Sequence, residues 1–338
     1  MQKKNYEQWK QDFVQKLGER IRNHPELGIR GPLKPYVSQG INGLKRECVA
    51  MPNLNKSGLS PSIYLDALYM RYQLEEAEEE MIDKVVSVFL NHMDVTVDTE
   101  ALRDYQRIKE HLRIRVNGGE RNRDWQNEMV SRKSGDFIYS AYLYFRENDR
   151  QTTINVSKIC AAGWGVSEDE IIAEALKNEM AEPVEFASMY GILDEFLEQG
   201  EKIDLFEHPD AVEDDCQLFV LRETESPYGA AVLARNEVLK KAGELLQDDY
   251  YIMPSSIREV ILLPARFGNE MDRMNELVRE INLKEVEPEE ILSDHVQYYD
   301  RKLQMFMNAE EYWRMKWFET VDWVEKPERE VVSPEQSM

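Results

Sequence analysis

The stretch "YYIMPSSIREVILLPA", Tyr250 to Ala265, decides the fold. "YYIM" and "EVILLPA" are rich in aromatic and β-branched residues, and a short polar run separates them. That pattern predicts two antiparallel strands joined by a turn. Pro254, Ser255 and Ser256 are ordinary turn residues, because proline presets φ and serine hydroxyls bond nearby main chain. Arg258 and Glu259 follow directly. The same turn is therefore the first place to look for chemistry or for a recognition loop.

Working outward, "QLFVLRE" reads as a strand, "ESPYG" as a turn and "GAAVLAR" as a second strand pairing with the first. Asn236 is expected to cap a helix whose Val238, Leu239, Ala242, Leu245 and Leu246 share one face. Asn269 and Asp272 open another helix, with Met271, Met274, Leu277, Val278 and Ile281 as its apolar stripe. "HVQYYD" and "KLQMF" add a further strand or hairpin. The order ββαββα(β) predicts an α+β fold: mostly antiparallel sheet built from hairpins, with helices packed on one face.

The rest of the chain repeats the hairpin-then-helix theme. Trp9, Phe13, Val14, Leu17 and Ile21 mark an N-terminal helix. "PYVSQGINGLKRECVAM" reads as a hairpin, and "SPSIYLDALYMRYQL" as a short strand over Ser62 to Leu65 followed by a helix. "EEAEEEMIDKVVSVFLNHM" is a helix with an acidic first turn, which suits the helix dipole. Next come a helix from Thr99 to His111, a strand "RIRV" and an exposed helix around Trp125. "DFIYSAYLYFRE" is a strand with "TTINVS" as its partner. Ser167 and Glu170 form a capping box for a helix carrying Ile171, Ile172, Ala175 and Leu176. Glu185 to Asp215 holds eleven acidic residues and one basic residue, Lys202. The expected division is 1–200 as an N-terminal α+β region and 201–215 as an acidic linker. Residues 216–306 form a C-terminal domain, and 307–338 an aromatic helix with a disordered charged end.

Bulk composition limits the function. The 338 residues are 42% hydrophobic, enough for a substantial core, and carry 42 basic against 65 acidic residues, a net charge of −23. Such a field disfavours direct nucleic-acid binding, which rests on neutralising phosphates. The dense basic run Arg107 to Arg123 is expected to be a solvated helix and strand edge. Cys48, Cys160 and Cys216 are far apart, so free thiols and a cytoplasmic location are expected. No apolar run approaches the length of a membrane span.

No connected catalytic set stands out. GxSxG and SxxK are absent around Ser255 and Ser256. The five histidines are dispersed without a metal-binding spacing, so neither metal nor cofactor is expected. "LSDHVQYYD" places Asp294 and His295 together. They are the candidates to join Ser255, Ser256 and Glu259 in a hydrolase-like site. Ser255, Ser256, Arg258 and Tyr228 are the candidates for a binding loop.

Four separated segments carry a resemblance: "SPSIYLDALYMRY", "WGVSEDEIIAEALKN", "LFVLRETESPYGAAVLARNEVLKKAGELLQDDYYIMPSSIREVILLPA" and "MNELVREINLKEVEPEEILSDHVQYYD". Together they make the chain similar to the bacterial domain-of-unknown-function family 5688, found in Gram-positive anaerobes and often in mobile elements. The resemblance implies a cytosolic bacterial protein and supplies no activity. Members of that family usually carry His-Glu after the "PSSI" turn, where this chain has Arg258-Glu259. An arginine cannot act as a general base near neutral pH, which argues against catalysis at this position. The leading expectation is a non-enzymatic protein-interaction factor, an accessory of a mobile element. The alternatives are the hydrolase above and an acidic inhibitor of a nucleic-acid-binding protein, the latter needing a carboxylate face over Glu185 to Asp215.

Overall fold

A computed structural model describes residues 3–27, 32–50, 62–74, 77–91, 100–147, 150–213, 215–254, 256–268 and 270–321. The chain forms two compact units, Met1–Lys133 with Ile138–Ala181, and Ser134–Phe137 with Glu182–Met338.

In the first unit, helix α1 (Tyr6–Arg22) is capped by Asn5, whose side chain accepts from the Gln8 N–H. It buries Trp9, Phe13, Val14, Leu17 and Ile21, the stripe its spacing predicts. Strands β1 (Pro35–Gln39) and β2 (Lys45–Ala50) form the expected antiparallel hairpin, and β3 (Ser62–Tyr64) pairs antiparallel with β2. Helices α2 (Leu65–Gln73) and α3 (Glu78–Asn91) complete this core. Each fully buried Leu, Ile or Phe here is worth about 1.5–3 kcal/mol over leaving it in water.

The run read as one helix to His111 is instead three short turns: Ala101–Arg103, α4 (Tyr105–Ile108) and Lys109–His111. Asp104 breaks it, because it caps α4 by accepting from the Gln106 N–H. Strand β4 (Leu112–Gly118) follows, then α5 (Arg123–Glu128), β5 (Ser131–Ser134), β6 (Phe137–Glu147), β7 (Arg150–Asn155), α6 (Lys158–Trp164) and α7 (Glu168–Glu179). β6 is the centre of this second sheet, between β4 and β5, and pairs antiparallel with β7. The basic run is not a solvated edge here: β4 is mostly buried, and Arg115 is 2% exposed. Its guanidinium lies 5.0 Å from the ring centre of Trp125, which is buried rather than exposed. Ser167 caps α7 by accepting from the Glu170 N–H. Asn178 donates to the carbonyls of Lys109 and Leu112, fixing the entry to β4.

The second unit is one antiparallel sheet in the order β13-β12-β10-β11-β9-β8. Its strands are β8 (Val184–Ser188), β9 (Phe219–Glu223), β10 (Tyr250–Met253), β11 (Val260–Pro264), β12 (Gln297–Asp300) and β13 (Met305–Asn308). The hairpin read from Tyr250 to Ala265 is the β10–β11 pair. Helices α8 (Met189–Phe196), α9 (Asn236–Leu246), α10 (Met271–Lys284) and α11 (Ala309–Val321) accompany it. The fold is α+β with antiparallel sheets.

The doubled tyrosines explain how this sheet is covered. Neighbouring residues of a strand point to opposite faces. Tyr250 of β10 therefore stacks on Tyr299 of β12 at 4.7 Å on one face, while Tyr251 meets Tyr298 edge-on at 5.0 Å on the other. The Tyr250 hydroxyl donates to the Leu239 carbonyl of α9. Tyr298 stacks on Tyr312 of α11 at 4.4 Å, in a core shared with Met274 and Val278 of α10. The helices thus divide between the two faces.

Three readings change in this unit. "GAAVLA" is a buried 3-10 turn, Gly229–Ala234, not a strand. Gly229 is wedged between the carbonyls of Arg258 and Glu223, and the Ala230 N–H donates to Ile257. Asn236 is the first residue of α9, with Arg235 at the capping position. Leu277 of α10 is 48% exposed, and Asn275 and Asn282 are buried in its place. Asn269 and the end of the chain from 322 lie outside the described residues. The second unit begins at Glu182, and β8 pairs along its length with β9. The 201–206 segment then returns to β8: the Leu205 N–H donates to the Phe186 carbonyl, and Asp204 accepts from the Phe186 N–H.

The C-terminal hairpin is locked by a carboxylate. Asp300 Oδ1 accepts from the N–H groups of Lys302 and Leu303, and Oδ2 accepts from the Tyr312 hydroxyl. Burial raises the Asp300 pKa, but the hydrogen bonds from Leu303, Tyr312 and Lys302 outweigh it and hold it below its ordinary value. A depressed carboxylate stabilises the fold above its unfolded pKa of about 3.9, and loses that contribution as pH falls through the lower folded value. Asp300→Asn is expected to lose about 1–3 kcal/mol at pH 7. In urea melts the gap to the parent should narrow below pH of about 4; a constant gap would contradict the assignment.

Candidate functional site

The turn after β10 is not a free loop tip. The Pro254 carbonyl accepts from the Ser293 N–H at 3.2 Å, and the Ile257 N–H donates to the Glu290 carbonyl at 2.9 Å. Ser256 forms an antiparallel bridge with Ile291. The turn is thus stitched along its main chain to the segment that leads into Asp294 and His295. Ser255 lies outside the described residues.

One side-chain pair, Arg258 with Glu290, also joins the two segments. The Ser256 hydroxyl accepts from the Arg258 N–H at 3.0 Å, the serine-turn role its neighbours predict. The Arg258 Nε lies 3.0 Å from both carboxylate oxygens of Glu290. Glu259 accepts from Arg222 at 3.2 Å. Asp294 accepts from Asn282 Nδ2 at 2.9 Å, and the same amide donates to the Ser293 carbonyl. One helical heptad earlier on α10, Asn275 accepts from the Val296 N–H and donates to Glu310. The two asparagines hold the 293–296 segment like rungs. The main-chain N–H of His295 donates to the Ser293 hydroxyl, while its Nδ1 is buried and has no partner. Tyr228 opens the Gly229–Ala234 turn: its N–H donates to the Ser226 hydroxyl and its carbonyl accepts from Ala231.

The chain therefore brings the candidate segments side by side through backbone pairing, while the hydrogen bonds of Ser256, Glu259 and Asp294 given above run to Arg258, Arg222 and Asn282. A nucleophile needs its base within hydrogen-bond reach, and Ser256 is bonded to a main-chain amide. Among the described residues, no group of three or more His, Cys, Asp or Glu side chains is placed to hold a metal ion. Cys48, Cys160 and Cys216 are free, and burial pushes the Cys48 and Cys216 thiols up, away from the reactive thiolate. No described helix is long and apolar enough to cross a membrane.

The acidic segment divides into internal and external charge. Glu185 is 8% exposed and pairs with Arg222 at 2.8 Å and Lys202 at 3.0 Å. Arg222 also reaches Glu259, and Lys202 also reaches Glu195, making one connected charge network around β9 and β8. Glu185 and Asp204 thus serve the sheet, so the segment is not a uniform carboxylate face.

Its helix α8 behaves differently. Tyr190, Leu193 and Leu197 recur at helical spacing with Phe196 beside them, which reads as a buried stripe. Instead α8 has no buried residue, and these side chains are 65%, 46%, 56% and 82% exposed in that order. Amphipathicity is visible in the sequence; the lack of cover is not, because it depends on what packs nearby.

A family model described as a family of unknown function, DUF5688, matches residues 6–301. No curated protein and no solved structure matches the chain.

Proposed function

We propose, from the premise that the chain belongs to the DUF5688 family of unknown function, that it is a non-enzymatic interaction factor docking a protein partner through α8. The exposed apolar stripe of α8 carries the reading. Contiguous large apolar side chains on a surface mark interaction sites, and anchors at this spacing suit a helix lying in a groove. Asp194, Glu195 and Glu198 flank the stripe, so the matching groove is apolar with a basic rim. A cytoplasmic setting and an accessory role in a mobile element belong to the same reading and rest on the resemblance. The hydrolase reading is supported only by the adjacency of the Ser256 and His295 segments.

The test uses the full chain as bait in a bacterial lysate, compared with a Leu193→Glu/Phe196→Glu double variant. A partner of the stated kind should be captured by the parent and reduced at least about tenfold by the variant. Ile159→Glu, at another 84% exposed apolar position, should leave capture unchanged. Equal capture by all three would remove α8 as the docking element.

A further inference from the structure

A cleft of about 360 Å³ opens in the second unit, lined by Lys240 and Glu244 of α9, Tyr299 of β12, and Arg301, Lys302 and Gln304 of the β12–β13 turn. Its electrostatics run against the rest of the chain. Arg20, Arg46, Arg222, Arg235 and Arg258 all pair with carboxylates. The Lys240, Arg301 and Lys302 side chains have no carboxylate partner among the described residues, in a protein of net charge −23. Asp249 at the cleft is occupied: Oδ1 accepts from the Arg301 N–H and Oδ2 from the Tyr298 hydroxyl.

The second observation is an orphaned donor. Tyr299 is 0% exposed, and its hydroxyl has no hydrogen-bond partner. A buried polar atom left unpaired costs free energy, and its presence in a cleft calls for an explanation. Burial, with Glu237 and Glu244 nearby, raises the Tyr299 pKa, so the hydroxyl keeps its proton and can donate.

The main chain that carries Arg301 and Lys302 is also fixed before any ligand arrives. Asp300 fixes the turn carrying Arg301 and Lys302 through two main-chain N–H groups. The stem of Arg301 lies along Gly243 of α9, where an added Cβ would meet Arg301 Cγ at 3.2 Å. Preorganised donors of this kind lose little freedom on binding.

We propose that this cleft is a binding site for a phosphate-type oxyanion, with Arg301, Lys302 and Lys240 supplying charge and the Tyr299 hydroxyl a neutral donor. A guanidinium, two ammonium groups and a phenol exceed what one planar carboxylate can satisfy, and suit a tetrahedral dianion. The volume leaves room for an ester group beyond the phosphate.

The full chain is titrated by calorimetry with inorganic phosphate and with phenyl phosphate, at ionic strength fixed with sodium chloride, and with acetate as the planar control. Saturable binding of at least one phosphate, and none of acetate, is expected. Tighter binding of phenyl phosphate identifies an ester site; equal or tighter inorganic phosphate identifies a free-phosphate site. Lys302→Gln and Arg301→Gln should each weaken binding about tenfold or more. Tyr299→Phe separates ligation from structure: it should weaken binding similarly while leaving the ligand-free melting temperature unchanged or higher. No saturable phosphate binding, or binding indifferent to both Lys302→Gln and Tyr299→Phe, overturns the assignment.

Discussion

Gly229→Ala is expected to destabilise the second unit by about 3 kcal/mol or more, among the larger effects of a single methyl. The added carbon would overlap the Arg258 carbonyl oxygen and lie 2.8 Å from the Glu223 carbonyl oxygen. Both obstacles are main chain, so no side-chain rotation relieves them. The Arg258 carbonyl belongs to the turn stitched to residues 290–293, and Glu223 ends β9, a strand paired on both sides, with β11 and β8. Relief therefore requires moving the 3-10 turn, which is buried throughout Gly229–Leu233. Gly163 provides the control: it is an exposed helical glycine with nothing within 4 Å of an added Cβ. Gly163→Ala should be neutral or stabilising by up to about 1 kcal/mol. Chemical denaturation of both variants decides the matter, and a Gly229→Ala chain within about 0.5 kcal/mol of the parent would show that the turn is not closed as described.

The second large effect concerns the buried ion pair between Arg235 and Glu223. Their side chains are 8% and 0% exposed, and Arg235 Nη1 lies 3.4 Å from the carboxylate and 2.8 Å from the Glu182 carbonyl. Removing one member takes this partner away from a charge held in the interior, a change that typically costs about 3–5 kcal/mol. Arg235→Met is expected in that range. Replacing both members, Arg235→Met with Glu223→Leu, should recover much of the loss, because a well-packed apolar pair avoids desolvating two charges. Full recovery is not expected, since the Glu182 carbonyl also loses its donor. A double-mutant cycle in urea reads both numbers, and a single Arg235→Met loss under about 1 kcal/mol would mean that Glu223 finds another neutralising partner.

Both effects sit where the sequence is least informative. The β10–β11 hairpin and the α1 stripe are legible because local pattern and burial agree: aromatic and β-branched residues alternate, or apolar residues recur every three or four positions. The Gly229–Ala234 turn is not, because a short apolar run fits a strand as well as a buried helical turn, and carbonyls from Glu223 and Arg258 decide between them. β8 is hidden for another reason. Glu185 makes it look like solvated acidic chain until Arg222, its register partner on β9, is brought opposite. At the candidate site, the main-chain role of Ser256 follows from ordinary turn chemistry, whereas the Asp294–Asn282 and Arg258–Glu290 bonds join residues that local pattern cannot connect. The cleft around Tyr299 is hidden for the same reason, since α9 and the β12–β13 turn lie far apart in the sequence, with β10, β11 and α10 between them.

The return of residues 204–205 onto Phe186 has a consequence for how this chain can vary. A sheet ends in a row of hungry amides and carbonyls, and a neighbouring molecule can read that row as a template for ordered aggregation. Here the donor and the acceptor of Phe186 are already claimed by Asp204 and Leu205. Deletions that shorten the 201–206 stretch would therefore strip a guard from the border of the sheet, so this outwardly expendable acidic loop should tolerate length changes poorly.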